Sequence, residues 1–363
     1  MSLLAGIKVF EIADGMTDFG GRMLAELGAE VHVVLPEMEQ PASRALAWHH
    51  GKVRVIADDV AAVRKLAAEA HIVLDGQRNG DRFGLADALP RESIHVRVSP
   101  FSADGPYAGR PAADLTLFAL SGLMHVTGDP DGPPQKFPGQ QAYALTGIQA
   151  ASAALMALYA RRRTGMGQRA DLSAFQSATL SNYREAVMYE WTGRIGRRQG
   201  NMLVRGKSGV RQIWPCKDGF VTWSMIDNPS MMRAVVAVMI EQDAAGELVD
   251  IDWGNILVAD TPQETVERWQ AVFARFFADH SREQLGAWSL QHGWGLSVIM
   301  APDDVRNSEH LRARGLFVDV ADEETGRRVR VPGPLFHPAA MDEPRRVFSK
   351  PLPASQLARG TDQ

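Results

Sequence analysis

Residues 7–34 read IKVFEIADGMTDFGGRMLAELGAEVHVV, and this stretch decides the fold. Its opening, Ile7-Lys8-Val9-Phe10, is a short apolar run with β-branched members, which predicts a strand. A loop carrying Asp14, Gly15, Asp18, Gly20 and Gly21 follows. A helical pattern then runs through Arg22-Met23-Leu24-Ala25-Glu26-Leu27 and is stopped by Gly28. Residues 31–34 predict the next strand. Moving outward, the alternation continues: residues 53–56 as strand, 60–70 as helix, 72–74 as strand and 94–98 as strand. Strands separated by helices imply a mostly parallel sheet covered on both faces, an α/β architecture.

Beyond residue 115 the character changes to longer helices. Residues 141–163 are alanine-rich, follow Pro138-Gly139 and end in Arg161-Arg162-Arg163 before Gly165. Those arginines suit a helix C-terminus, where cations oppose the macrodipole and glycine supplies the stop. A second helix is expected over 171–191, and the Gly- and Arg-rich segment 194–211 reads as a linker. Residues 212–223 predict a hairpin turning at Lys217-Asp218-Gly219. Helical patterns occupy 229–239, 265–278 and 282–291, mixed strand and loop return from about residue 305, and the polar segment 350–363 reads as mobile.

Composition narrows the function. A 363-residue chain that is 45% hydrophobic can bury a large core, and its length suggests two domains. The net charge of −4 gives no global basic field, so neither nucleic acid nor an anionic membrane is expected as partner. The N-terminus carries no export signal and no apolar run reaches roughly 18–20 residues, so a cytoplasmic protein is expected. The single cysteine, Cys216, excludes an internal disulfide and a Cys-based zinc site. The ten histidines show no HExxH spacing, and His49 and His50 are adjacent, so no metal is expected.

Several segments then fall into register with one pattern. Leu4-Ala5-Gly6-Ile7-Lys8-Val9 matches L-x-G-[IL]-[RK]-V, and LAELGAEV at 24–31 matches L-A-D-L-G-A-[DE]-V. SPFSADGPYAGRPAAD at 99–114, ALSGLMHVTGDPDGPP at 119–134 and RTGMGQRADLS at 163–173 follow in order, with Gly200-Asn201 and Lys217-Asp218-Gly219-Phe220 in the second half. Together they resemble the family III CoA-transferases, the group of formyl-CoA transferase, carnitine CoA-transferase and the 2-methylacyl-CoA racemases. The resemblance implies a large Rossmann-like domain built from both chain ends, a smaller α+β domain inserted in the second half, and two subunits interlocked as a dimer. The corresponding division is 1–190 for the first part of the large domain, 191–212 as linker, 213–304 as small domain and 305–363 as the return.

The family reaction moves CoA between carboxylic acids. A carboxylate attacks the acyl-CoA thioester to give a mixed anhydride, and the released thiolate then forms an enzyme-bound thioester. The family places this aspartate at the start of the helix preceding R-T-G-x-G-Q. Counting back from that block, the position is Tyr143. A tyrosine hydroxyl, with a pKa near 10, would give an aryl ester rather than an anhydride. The position of the racemase histidine is Ala113, followed by Asp114, while His125 lies in the ALSGLM stretch. Among other acids, Asp129 and Asp131 suit a turn, and Asp14 and Asp18 sit in the first glycine-containing loop.

CoA-binding features are partly retained. The family's E-N-F-R-P-G is here Asp75-Gly76-Gln77-Arg78-Asn79-Gly80, followed by Arg82-Phe83-Gly84, and its N-[RS]-G-K-R is His49-His50-Gly51-Lys52-Val53. Lys52, Gln77, Arg78 and Arg82 are therefore the candidate CoA-binding residues, the cations for the ADP phosphates. The arginine that usually follows the second strand is replaced by Leu35-Pro36. Three functional readings remain open. One is the Asp-less subunit of a heteromeric CoA-transferase, partnered by a homologous Asp-bearing chain. The second is a homodimer that binds acyl-CoA without turnover. The third is an active homodimer in which Tyr143 donates a hydrogen bond to the thioester carbonyl. CoA or acyl-CoA is ligand or substrate in all three, with no covalently bound cofactor.

Overall fold

The computed structural model describes residues 2–36, 42–334 and 345–360, which divide into two units. The first comprises residues 1–125, 135–196 and 308–363, and the second residues 126–134 and 197–307. In chain order the first unit opens with β1 (Lys8–Ile12), α1 (Asp18–Glu26), β2 (Glu30–Val34), α2 (Ala42–His49), β3 (Val53–Ile56), α3 (Val60–Ala68), β4 (Ile72–Gly76) and β5 (Ile94–Ser99). It continues with α4 (Asp114–Leu120), α5 (Gln141–Thr164), β6 (Arg169–Ser173), α6 (Ala174–Leu180) and α7 (Tyr183–Thr192). The second unit holds β7 (Met202–Arg205), β8 (Ser208–Arg211), β9 (Ile213–Cys216), β10 (Gly219–Thr222), α8 (Pro229–Glu241), α9 (Gln263–Asp279), α10 (Arg282–His292), β11 (Ser297–Val298) and α11 (Pro302–Asn307). The chain then returns through α12 (Glu309–Ala313), β12 (Phe317–Asp322), β13 (Arg328–Pro332), β14 (Val347–Phe348), β15 (Leu352–Pro353) and α13 (Ala354–Gly360).

The large sheet has the order β15-β3-β2-β1-β4-β5-β6, and every neighbouring pair in it is parallel. The strand runs read from the sequence therefore build the expected Rossmann-like sheet. Its centre is apolar on both faces, with Val9, Val33, Ile72, Val73 and Val96 all fully buried. Helix α5 is long and apolar enough to cross a membrane by length and composition, but its face of Ala142, Thr146, Gly147, Ala150 and Ala154 is buried inside this unit. Glycines set how close α1 lies to it: a Cβ on Gly20 would stand 2.6 Å from the Gly147 carbonyl oxygen. Only two bare backbones can approach that far.

Four expectations are corrected. Helix α1 begins at Asp18 rather than Arg22, and the Asp18 carboxylate accepts the Gly15 N–H at 3.0 Å. Residues 171–191 are not one helix. Residues 169–173 pair with β5 as β6, and Ser173 then caps α6 by accepting the Gln176 N–H. The segment read as linker contains the β7–β8 hairpin, which turns at Gly206 with φ +57. Residues 350–360 are ordered: Leu352 pairs with Val55, and Ala354 and Ala358 are buried as α13 packs on α3. Residues 361–363 lie outside the described residues.

The second unit is built around aromatic rings. Trp214 packs edge-on against Phe277 at 5.5 Å, and Trp223 lies 4.6 Å from Phe273. Two of the buried indoles are satisfied by backbone, Trp214 donating to the Trp223 carbonyl and Trp223 to that of Trp294, whereas the indole N–H groups of Trp253 and Trp294 are buried without a hydrogen-bond partner among the described residues.

Candidate active site

Strand order reverses between β1 and β4, so the loops leaving their C-terminal ends diverge and leave a crevice, the usual ligand position in an open parallel sheet. One side chain ties the two loops together. Asp14, after β1, accepts the Met16 N–H at 2.9 Å and the Arg78 N–H, after β4, at 2.8 Å. Gly76 makes room for it, because a Cβ there would stand 2.5 Å from the Asp14 Cγ. Burial pushes the Asp14 carboxyl up to about 7 against the pull of these two N–H groups.

The N-terminus of α5 closes the crevice. Asp114 accepts the Tyr143 N–H at 3.0 Å and also the Ala142 N–H, so a carboxylate does sit at this helix start, supplied from α4. Burial raises the Asp114 carboxyl above its ordinary value. Tyr143 itself is only 2% exposed. Its hydroxyl donates to the Ala112 carbonyl at 3.0 Å and is hydrogen-bonded by the Arg78 side chain. Its ring lies against Gly15, whose φ of +99 and absent Cβ, which would stand 2.8 Å from Tyr143 Cδ2, both require glycine. Burial raises the Tyr143 pKa further above 10, with Arg78 opposing. At neutral pH the group is a protonated phenol whose hydrogen is already placed.

Beneath α1 lies a cluster of buried charge. Lys52, fully buried, donates to Glu11 Oε2 at 2.7 Å and to the Asp18 carbonyl at 2.8 Å. Gly21 provides the space, since a Cβ there would overlap Glu11. Burial drives the Glu11 carboxyl up to about 8 against the pull of Lys52. Burial pushes Asp18 up as well, yet His49, Lys52, the Gly15 N–H and Arg44 outweigh it and hold the carboxyl below its ordinary value. Burial and Lys52 hold the His49 imidazole down to about 3, so it is neutral at pH 7.

These placements sort the residues singled out from sequence. Lys52 is committed to Glu11 inside the fold and is not at the surface where a phosphate would arrive. Gln77 is buried too, donating to Asp75 and accepting from Arg97. Arg78 is half-buried at the crevice, and Arg82 is exposed with its guanidinium 4.8 Å over the Phe83 ring, so these two carry positive charge at the end of β4. Ala113 precedes α4 in extended conformation, and His125 is exposed. Asp129, in the second unit, closes a turn by accepting the Gly132 N–H on its carbonyl. Sequence reasoning missed the Glu11–Lys52 pair, although a glutamate between Phe10 and Ile12 in a strand covered on both faces signals a buried cation. Among the described residues no cluster of His, Cys, Asp and Glu could hold a metal.

The family model described as CoA-transferase family III matches residues 4–356. The chain is 27% identical to the succinyl-CoA:(R)-benzylsuccinate CoA-transferase subunit BbsE of Thauera aromatica, over 90% of this chain and 86% of that one. It is 32% identical to the succinate–glutarate CoA-transferase of Agrobacterium fabrum, over 96% and 92% of the two chains. In fold it is similar to a CAIB/BAIF family protein from Brucella suis, with a TM-score of 0.82 at 24% identity over 99% of each chain.

Proposed function

The chain belongs to CoA-transferase family III, and on that premise we propose that it is the subunit without the reactive aspartate in a heteromeric transferase that moves CoA between carboxylic acids. The carrying observation is the state of Tyr143. Its hydroxyl proton is engaged by the Ala112 carbonyl, its ring is wedged against Gly15, and its pKa is raised. A group held this way neither attacks a thioester nor, with its hydrogen spent on a backbone carbonyl, polarises one. That geometry favours this reading over an active homodimer using Tyr143. In this reading the covalent steps run on the homologous partner's carboxylate, while this chain supplies scaffold and an acyl-CoA crevice with Arg78 and Arg82 at its edge.

Two further observations support a second chain. The relative BbsE is named as a subunit. Helix α7 buries none of its own residues and exposes Tyr183, Val187, Tyr189 and Trp191, an apolar set of the kind that marks a protein interface.

The test is intact-mass measurement after incubation with a panel of acyl-CoAs. The wild-type chain is expected to stay unmodified, while Tyr143→Asp gains a covalent CoA, its mass increased by one CoA less one water. An adduct on the wild-type chain would overturn the proposal. Binding of acyl-CoA with no adduct on either protein would point instead to the non-catalytic homodimer.

A further inference from the structure

A second arginine stands at the closed end of the crevice, and the sequence did not single it out. Arg44 lies in the first turn of α2. Its Nη2 comes to 3.1 Å from the point a Gly15 Cβ would occupy, the same point that Tyr143 Cδ2 approaches at 2.8 Å. The Arg44 guanidinium and the Tyr143 ring therefore meet across Gly15, while the Arg78 side chain is hydrogen-bonded to the Tyr143 hydroxyl. Arginines from α2 and from the loop after β4 thus flank one side chain at the start of α5.

Arg44 differs from the structural arginines in what it does with its donors. Arg22, buried in α1, spends its N–H groups on Glu26 and on the Ala47, Pro332 and Gly333 carbonyls. Arg44 spends none: among the described residues it makes no hydrogen bond. Its nearest acid, Asp18 Oδ2, stands 3.9 Å from Nη2, inside ion-pair range and past hydrogen-bonding distance. Asp18 gives its other oxygen to the Gly15 N–H. The Arg44 Nε is sealed from solvent without a partner, whereas the two Nη groups remain reachable on a side chain 25% exposed. Of the acids around it, Asp14 and Asp114 are raised by burial, whereas Asp18 is held below its ordinary value.

A planar fork of unspent donors matches a carboxylate, which accepts parallel N–H bonds from it. The N-terminus of α5 closes the crevice at this point, so the group that meets the fork is the small acyl end of a thioester and not its bulky nucleotide. We propose that Arg44 is a specificity-determining residue of the crevice, binding the free carboxylate of an acyl group derived from a dicarboxylic acid. The inference rests on the reading of the crevice as an acyl-CoA site. An apolar acyl tail would bury the fork with no acceptor, which is how a polar site rejects an analogue lacking its partner.

Isothermal titration calorimetry of the full chain with glutaryl-CoA and pentanoyl-CoA tests this, since the two acyl chains match in carbon number and differ in the terminal carboxylate. Glutaryl-CoA is expected to bind about tenfold more tightly, or better. In Arg44→Gln that preference should collapse to about twofold or less. Arg44→Lys, which keeps the charge and loses the fork, should retain only part of it. Equal affinity of the two ligands for the wild-type chain overturns the proposal. So does an Arg44→Gln variant that weakens both by the same factor, which would put the arginine on the shared CoA moiety or in the fold. Free pentanoate that displaces glutaryl-CoA would also overturn it, by placing the free acid on Arg44. Binding of neither thioester would overturn it together with the acyl-CoA crevice. A covalent adduct on the wild-type chain, by contrast, would overturn only the assignment as the subunit without the reactive aspartate and leave this preference standing.

Discussion

Beneath α1 the first unit buries Glu11, Asp18, His49 and Lys52, whereas the second unit buries Trp214, Trp223, Trp294, Phe273 and Phe277 and, among the described residues, no charged side chain at all. Both interiors are well packed, but they answer to different conditions. An aromatic core is indifferent to protons, and a core of paired charge is not. The charge lies under the loops that form the crevice, so the unit that would hold the acyl-CoA is also the one whose stability is linked to pH. The second unit's core is a scaffold in the plain sense, and its surface rather than its interior is where its function would be sought.

The most forceful way to break this comparison is to remove one partner from each core. Lys52→Met leaves Glu11 buried without its cation, and Phe277→Ala leaves a cavity among tryptophans. Each is expected to cost about 3–5 kcal/mol. They should separate with pH. Glu11 without Lys52 escapes the penalty by holding a proton, so the cost of Lys52→Met should be clearly smaller at pH 6 than at pH 9. The cost of Phe277→Ala should be the same at both. Hydrogen exchange of β1 and β4 against β9 and β10 localises each loss; an equal pH dependence in the two variants would refute the contrast.

Tyr143→Phe probes the border between the two kinds of interior, because the side chain is buried yet its hydroxyl donates to the Ala112 carbonyl and is hydrogen-bonded by Arg78. Leaving the Ala112 oxygen unpaired should cost about 1–2 kcal/mol at every pH. Acyl-CoA binding should be unaffected, and a large loss of binding would instead place the hydroxyl on the ligand.

Asp14→Asn sharpens the pH linkage directly. The fold raises the Asp14 carboxyl from 3.8 to about 7, so the folded state holds this proton more tightly than the unfolded chain does. Its stabilising contribution is full below pH 3.8 and is lost as pH rises to 7, where the buried anion carries a penalty. The melting temperature of the asparagine variant relative to wild type should therefore climb between pH 5 and pH 8, above any constant offset from the altered N–H contacts. A flat difference across that range would show that Asp14 ionises as it does in solvent.

Much of the large sheet was legible because its strands are short β-branched runs separated by periodic helices. The failures have identifiable causes. Residues 169–173 alternate polar and apolar over too few positions to compete with the helix that follows. The last strand is only Leu352 and Pro353, and the burial of α13 rests on two alanines, which look polar-surface neutral in a sequence. At the site, counting from RTGMGQ found Tyr143, but its acceptor is a backbone carbonyl and leaves no mark in the sequence. Lys52 was read as a CoA-binding residue from its place in HHGKV, and that segment gives no sign of the glutamate 41 residues away with which it pairs inside the fold.

The smallest effect expected on the fold comes from α7, and it extends the comparison to the surface. Helix α5 buries Ala142, Tyr143, Ala150 and Ala154 within its own unit, whereas α7 buries nothing and leaves Trp191 at 87% exposure. An indole so exposed gains nothing from the monomer's packing, so Trp191→Ser should change the stability of the isolated chain by no more than about 0.5 kcal/mol. If α7 meets a second chain, that same indole becomes a candidate anchor, since aromatic residues dominate the energetics of interfaces. Sedimentation velocity should then show a weaker association for Trp191→Ser at unchanged melting temperature in the dissociated state. A variant that loses stability without losing association would mean that α7 is held by its own chain, and the support it lends to a two-chain transferase would be withdrawn.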